Sequence, residues 1–283
     1  MAIIKKSPEE IEKIAASGQV LARCHKLLRS KARAGVTTEE LDEAAERFIR
    51  SQGGTPCFKG YRGFPGSICA SPNSMVVHGI PGDYELSRGD VLSIDIGVEL
   101  DGWISDAAVT LPIGSVSDVA AGLLESTEAS LFEGIEQCVA GNRLGDVSAA
   151  IQRRVEADGY SVIRSLVGHG VGREMHEDPQ IPNFGTPGSG PLLEEGMVLA
   201  IEPMVNVGGP EVRLAPDNWS VYSEDGSLAA HFEHTVAITA DGPRILTSVL
   251  SSSVGARPSP GPCAGSLYTE GSDEGPSVGQ THV

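Results

Sequence analysis

Residues 91–111, VLSIDIGVELDGWISDAAVTL, constrain the fold more than any other stretch of this chain. Two strand-like runs flank Asp101-Gly102, a dipeptide suited to a tight turn between antiparallel strands. Each run holds one carboxylate in apolar company, Asp95 in LSIDIGV and Asp106 in WISDAAV. With Asp101-Gly102 as the loop, Asp95 faces Ala108 and Asp106 lies two residues along on the same face. With Leu100-Asp101 as the loop, the two aspartates stand directly opposite. Side chains alternate along a strand, so either register puts both carboxylates on one side. Like charges this close in apolar surroundings are costly unless something neutralises them. A bound divalent cation does so; the metal-free alternative is one buried, protonated Asp and one exposed one.

Composition narrows the setting. A chain of 283 residues with 40% hydrophobic residues can build a sizeable core, as one large domain or two smaller ones. The formal net charge of −17 argues against general binding to nucleic acid or anionic membranes. Cys24, Cys57, Cys69, Cys138 and Cys263 are an odd, scattered set without paired spacing. With no signal-like apolar segment near Met1 and no apolar run of about 18 residues, the chain reads as soluble, reduced and cytoplasmic.

In chain order, Ser7-Pro8-Glu9-Glu10 predicts a helix N-terminus, and apolar periodicity carries that helix to about Ser30. A second helix is expected from Thr38 to the stop at Gly53-Gly54. Residues 55–80 read as irregular, with many Gly and Pro. After the hairpin the pattern recurs. A helix over 118–139 is followed by Ala140-Gly141, which echoes Ala34-Gly35 at an offset of 106 residues. A further helix holds Val147, Ile151 and Val155 and ends at Gly159, as its counterpart ends at Gly53. Two halves, each of two helices and then strands, around a site between them are the expectation.

The second half brings its own polar residues. His169 and His176 lie seven residues apart in the Gly-rich loop GHGVGREMHEDPQIP. Glu202 sits in the apolar strand VLAIEPMV, broken after it by Pro203. In HFEHTVAIT, read as one strand, His231 and Glu233 share a face and His234 takes the other. Singly, each has a structural explanation: a hydrogen-bonded histidine, or an acid paired with arginine. Together, four buried-looking acids and one imidazole suit two divalent ions such as Mn, Fe, Co or Zn.

The order Asp95, Asp106, His169, Glu202, Glu233, in the contexts DIG, SDAA, GHGVG, AIEP and FEHT, strongly resembles the type I methionine aminopeptidases of peptidase family M24. The resemblance spans residues 1 to about 249. It implies an α/β (α+β) pita-bread fold, two pseudo-symmetric halves around a dinuclear metal site. It also implies removal of the initiator methionine from nascent polypeptides when the second residue is small. On that resemblance Asp95 chelates one metal, Asp106 and Glu233 bridge both, and His169 and Glu202 complete the other. A hydroxide between two cations about 3.5 Å apart attacks the scissile carbonyl. Glu202 moves the proton, His176 bonds the carbonyl oxygen, and His78 contacts the substrate backbone.

The resemblance also places Tyr61, Phe64, Cys69 and Trp219 in the methionine pocket, where soft, polarisable walls suit a thioether. Departures are Phe58 where relatives often have Cys, and Met175 where an aromatic is common, which implies a more adaptable pocket wall. Cys57, one residue off register, reads as a packed small residue. His231 stands where a neutral amide is expected; it either hydrogen-bonds a metal-bound carboxylate or faces solvent. The short interval between His169 and Glu202 favours type I over type II. No zinc-finger extension precedes residue 8, so any ribosome docking falls to the catalytic domain. Its loop GGPEVRLAPDN offers only Arg213 as a base, which makes a strongly electrostatic contact there doubtful. The expected state is a monomer whose mature form starts at Ala2. The expected organisation is a catalytic domain over 1–250 and a disordered Ser/Gly/Pro-rich tail over 251–283, dispensable for activity. The competing readings are a proline-specific peptidase of the same fold, such as aminopeptidase P or prolidase, and a non-catalytic binding protein.

Overall fold

The computed structural model describes residues 3–249. Met1, Ala2 and the tail from Leu250 onward lie outside the described residues. Ser7 caps α1 (Pro8–Lys31): its hydroxyl accepts the Glu10 N–H, and the Glu10 carboxylate accepts the Ser7 N–H. Thr37 and Glu40 repeat that box at the start of α2 (Thr38–Ser51). The stretch read as irregular holds three short strands, β1 (Thr55–Pro56), β2 (Cys69–Pro72) and β3 (Met75–Val77). Its glycines and prolines shorten the strands without abolishing them.

The long hairpin is β4 (Val91–Leu100) and β5 (Trp103–Pro112). Its register pairs Asp95 with Ala108, Gly97 with Asp106 and Leu100 with Trp103, so Asp101-Gly102 is the loop. Both loop residues have positive φ, 52° and 75°, as a type I′ turn requires.

Then come α3 (Asp118–Glu136), α4 (Leu144–Ala157) and β6 (Ser161–Val162). The internal echo is exact in the backbone: α4 and β6 begin and end 106 residues after α2 and β1. Gly35 and Gly141 share the left-handed conformation, as do Gly53 and Gly159. Leu41 and its counterpart Val147 are fully buried, and so are Ile49 and Val155. The cap of α4 has drifted. Arg143 offers no hydroxyl, and what survives is its N–H on the Asp146 carboxylate at 2.7 Å.

The second half continues with β7 (Val167–Gly170), β8 (Glu177–Pro182), β9 (Val198–Ile201) and β10 (Met204–Asn206). It ends with β11 (Val212–Leu214), β12 (Val221–Ser223), β13 (Ala229–His231), β14 (His234–Thr239) and β15 (Gly242–Ile245). In the first half β4 is flanked by β1 and β2 on one edge and β5 on the other, and α1 packs across β4 and β5. In the second half the sheet order is β15-β14-β9-β7-β8. Each half has its own apolar core. Leu21, Leu41, Ile94 and Ile96 belong to one, and Val147, Ile151, Leu199 and Val236 to the other.

Candidate metal centre

The halves are stitched together along β5. The Asp106 N–H donates to Thr235 Oγ1 at 3.0 Å, and that hydroxyl donates to the Asp106 carbonyl at 2.7 Å. The Glu233 N–H donates to the Ala108 carbonyl at 2.9 Å. Thr110 Oγ1 accepts the His231 N–H at 2.9 Å and donates to the His231 carbonyl at 2.8 Å. Alternate residues of β5 thus meet residues 235, 233 and 231 in turn. Two threonine hydroxyls replace the ladder bonds that the gap between β13 and β14 leaves out. The sequence reading of 231–239 as one strand is corrected here: Phe232 and Glu233 interrupt it, and β13 and β14 belong to different sheets. His231 and Glu233 both line the cavity, on the common side expected of them. His234 turns away, its Nδ1 2.8 Å from Thr247 Oγ1.

His169 was expected in a Gly-rich loop; it lies on β7, paired with Gln180 on one side and Ala200 on the other. Its Nδ1 is 2.9 Å from the Gly170 carbonyl, which only accepts, so Nδ1 carries the proton and the Nε2 lone pair faces the acids. Glu202 follows β9 directly, where Pro203 ends the pairing. His169 Nε2 lies 3.5 Å from Glu202 Oε1 and 3.9 Å from Asp106 Oδ2. One donor atom each from Asp106, His169 and Glu233 falls within 4.8 Å of the others. All five predicted ligands, Asp95 included, line one cavity of about 310 Å³.

The donor set fits divalent cations. Asp95 Oδ1, Asp106 Oδ1, Glu202 Oε1 and Glu233 Oε1 are buried without a hydrogen-bond partner. Such orphans are costly unless a ligand satisfies them. Burial, then the charge of Asp106, raises the pKa of Asp95, Glu202 and Glu233 well above the carboxylate range. Burial pushes Asp106 to about 7. Four carboxylates balance two dications, and carboxylate with imidazole suits Mn, Fe, Co or Zn.

The rest of the cavity is apolar or aromatic. Phe58, Tyr61, Phe64, Cys69 and Trp219 form its wall, with His78 and His176 at its exposed rim. Phe64 meets Trp219 edge-on at 5.1 Å between ring centroids. His176 stacks on Tyr61, its Nδ1 2.9 Å from the tyrosine hydroxyl, and its ring centroid is 4.3 Å from that of His169. Cys57 is packed as expected. Met175, expected in the wall, is instead buried behind it: its methyl converges with Cys57 and Phe58 over Gly97. Phe58, by contrast, does face the cavity.

Residues 12–240 match metallopeptidase family M24. The chain belongs to that family. Within M24, it is 53% identical to a methionine aminopeptidase of Clostridium perfringens over 247 residues, 87% of this chain and 99% of that protein. Methionine aminopeptidase 1 of Bacillus subtilis is 52% identical over 247 residues, 87% of this chain and all of that one. The crystal structure of a methionine aminopeptidase from Thermotoga maritima, 43% identical, matches with a TM-score of 0.86 over 87% of this chain and 100% of its own.

The α/β pita-bread fold of M24 and its metallopeptidase chemistry are therefore those of this chain. The cavity is also lined by residues that the sequence did not mark. Arg62, Leu166 and Met204 line it as well. They sit in ordinary local contexts and are brought there only by folding. His231, left open between solvent and site, is 2% exposed and lines the cavity. Among the described residues no helix is long and apolar enough to cross a membrane.

Proposed function

We propose that this M24 metallopeptidase removes the N-terminal methionine from polypeptides whose second residue is small. The observation that carries the reading is one cavity with a carboxylate-imidazole cluster at its floor and a thioether-compatible wall of Tyr61, Phe64, Cys69 and Trp219 beside it. Asp95, Asp106, His169, Glu202 and Glu233 would hold two divalent cations. When bound, these lower the pKa of a water and stabilise negative charge on the carbonyl oxygen. Glu202, beside His169, accepts the proton from the attacking water and delivers it to the leaving amine. His176, held by Tyr61, donates to the carbonyl oxygen as charge develops there. His78 orients the substrate backbone next to the bond being cut. The wall takes the methionine side chain and excludes water around it.

The substrates are the N-termini of nascent polypeptides, met in the cytoplasm at the ribosome by a monomer. Cys24, Cys57, Cys69 and Cys138 are unpaired, which suits a reducing compartment. The ribosome would be engaged without Arg213 as a principal contact, since its guanidinium packs 4.7 Å over the Tyr222 ring.

The test is hydrolysis of Met-Ala-Ser against Ala-Pro-Ser, with Mn²⁺ or Co²⁺ and again after chelation. Metal-dependent release of methionine alone supports the proposal. Cleavage of the proline peptide, or no cleavage with any metal, overturns it.

A further inference from the structure

His231 ends β13, and both its backbone groups are held by Thr110 of β5. Its imidazole is buried inside the cavity, and Nε2 has no partner within hydrogen-bond distance. That atom lies 3.8 Å from Glu202 Oε2 and 3.8 Å from Glu233 Oε2. The oxygens of these acids that are fully buried without a hydrogen-bond partner are the opposite ones, Glu202 Oε1 and Glu233 Oε1. Glu202 is therefore flanked by two imidazoles, with Oε1 3.5 Å from His169 Nε2 and Oε2 toward His231. The division of labour is geometric. One oxygen of each carboxylate faces the cation-binding space, and the other faces His231.

We propose that His231 is a positioning residue whose Nε2, 3.8 Å from Oε2 of both Glu202 and Glu233, attracts those two oxygens so that the Oε1 atoms stay presented to the cation shared with His169. A carboxylate free to rotate would offer either oxygen or neither. A buried N–H dipole on a backbone clamped to the Asp106 strand biases that rotation before any cation arrives. Partners of this kind, touching the ligand and not the metal, typically set about 10–100-fold in metal affinity. The inference rests on the reading of this cluster as a two-cation centre.

The experiment is calorimetric titration of Mn²⁺ into the chelator-stripped full-length chain, as wild type, His231→Ala and His231→Gln. The visible absorption of the Co²⁺-loaded forms is recorded alongside, and circular dichroism establishes that each variant is folded. Wild type is expected to bind two equivalents; binding of none would defeat the two-cation reading itself. Given two, His231→Ala should weaken one equivalent by about 10–100-fold and leave the other unchanged. His231→Gln, which keeps an N–H donor at similar reach, should recover most of that loss with a wild-type Co²⁺ spectrum. Equal affinities in wild type and His231→Ala overturn the proposal. So does a glutamine variant no better than alanine with an altered Co²⁺ spectrum, which would put the imidazole on the metal itself. If His231→Ala fails to fold, His231→Leu, which keeps the bulk without the N–H, takes its place in the same comparison.

Discussion

Lys6 and Glu177 form a buried ion pair: Nζ and Oε2 are 2.5 Å apart, and the side chains are 2% and 4% exposed. Lys6 also donates to the Ile4 carbonyl, and the other Glu177 oxygen accepts the N–H groups of Arg173 and Glu174. Glu177 follows His176 directly. The segment before α1 therefore pins the turn that carries a proposed catalytic residue, from the side away from the cavity. Lys6→Met leaves a buried carboxylate without its cation and should cost about 3–5 kcal/mol in denaturant unfolding, with a fall in kcat as the His176 turn loosens. Adding Glu177→Gln removes the stranded charge and keeps an acceptor for the two N–H groups. The double variant should regain most of the lost stability. Unchanged unfolding of the single variant would show that the pair does not hold the turn.

Thr235 makes two hydrogen bonds to the Asp106 backbone across the seam between the halves. Thr235→Val keeps the shape and leaves a buried N–H and a carbonyl unpaired, at a cost of about 1–3 kcal/mol. Thr235→Ser keeps the hydroxyl and should lose less. Because Asp106 is a proposed bridge, the valine variant should also bind Mn²⁺ more weakly, which the same titration reads.

Removing the metal should make stability fall as pH rises above neutrality. In the folded, metal-free chain, burial holds Asp106 at about 7 and lifts Asp95, Glu202 and Glu233 well above their ordinary range. The unfolded chain releases those protons near pH 4, so the folded state binds more protons between there and its raised pKa values. The stabilisation is complete below the unfolded pKa and is lost as pH climbs through the folded one. Below neutrality the histidines oppose this, because burial lowers the pKa of His25, His169, His176, His231 and His234 and only the unfolded chain charges them there. The thermal midpoint of chelated protein should therefore drop between about pH 7 and about pH 8. Mn²⁺ should restore it, most strongly at the upper end, since it binds the ionised acids. A midpoint that rises over this range without metal would contradict the burial of the cluster.

Gly97 pairs with Asp106 in the hairpin, and a methyl there would lie 2.7 Å from Cys57 Sγ, 2.7 Å from Phe58 Cε1 and 2.9 Å from Met175 Cε. Gly97→Ala should cost about 1–3 kcal/mol through overpacking. One of the crowded groups, Phe58, also faces the cavity, so its displacement reaches the pocket wall. KM for methionyl peptides should then rise more than kcat falls, in steady-state kinetics on Met-Ala-Ser.

The local and the repeated were legible in the sequence. Alternation around Asp101-Gly102 placed Asp95 and Asp106 on one face, because a two-residue period survives any packing. Capping residues and glycines marked helix ends closely enough that the offset between Gly35 and Gly141 proved to be a repeat of backbone geometry. The five proposed ligands stood out through their contexts taken together, though no single one of them was decisive. Tertiary structure alone decided what crosses between the halves. The break at Phe232-Glu233 could not be read from the run itself, because it depends on contacts with a distant strand, Thr110 with His231 and the Asp106 backbone with Thr235. The burial of His231, the withdrawal of Met175 behind Phe58 and the placement of His169 on a strand have the same origin. Each is set by which partner a side chain meets, and spacing along one strand carries no information about a partner on another.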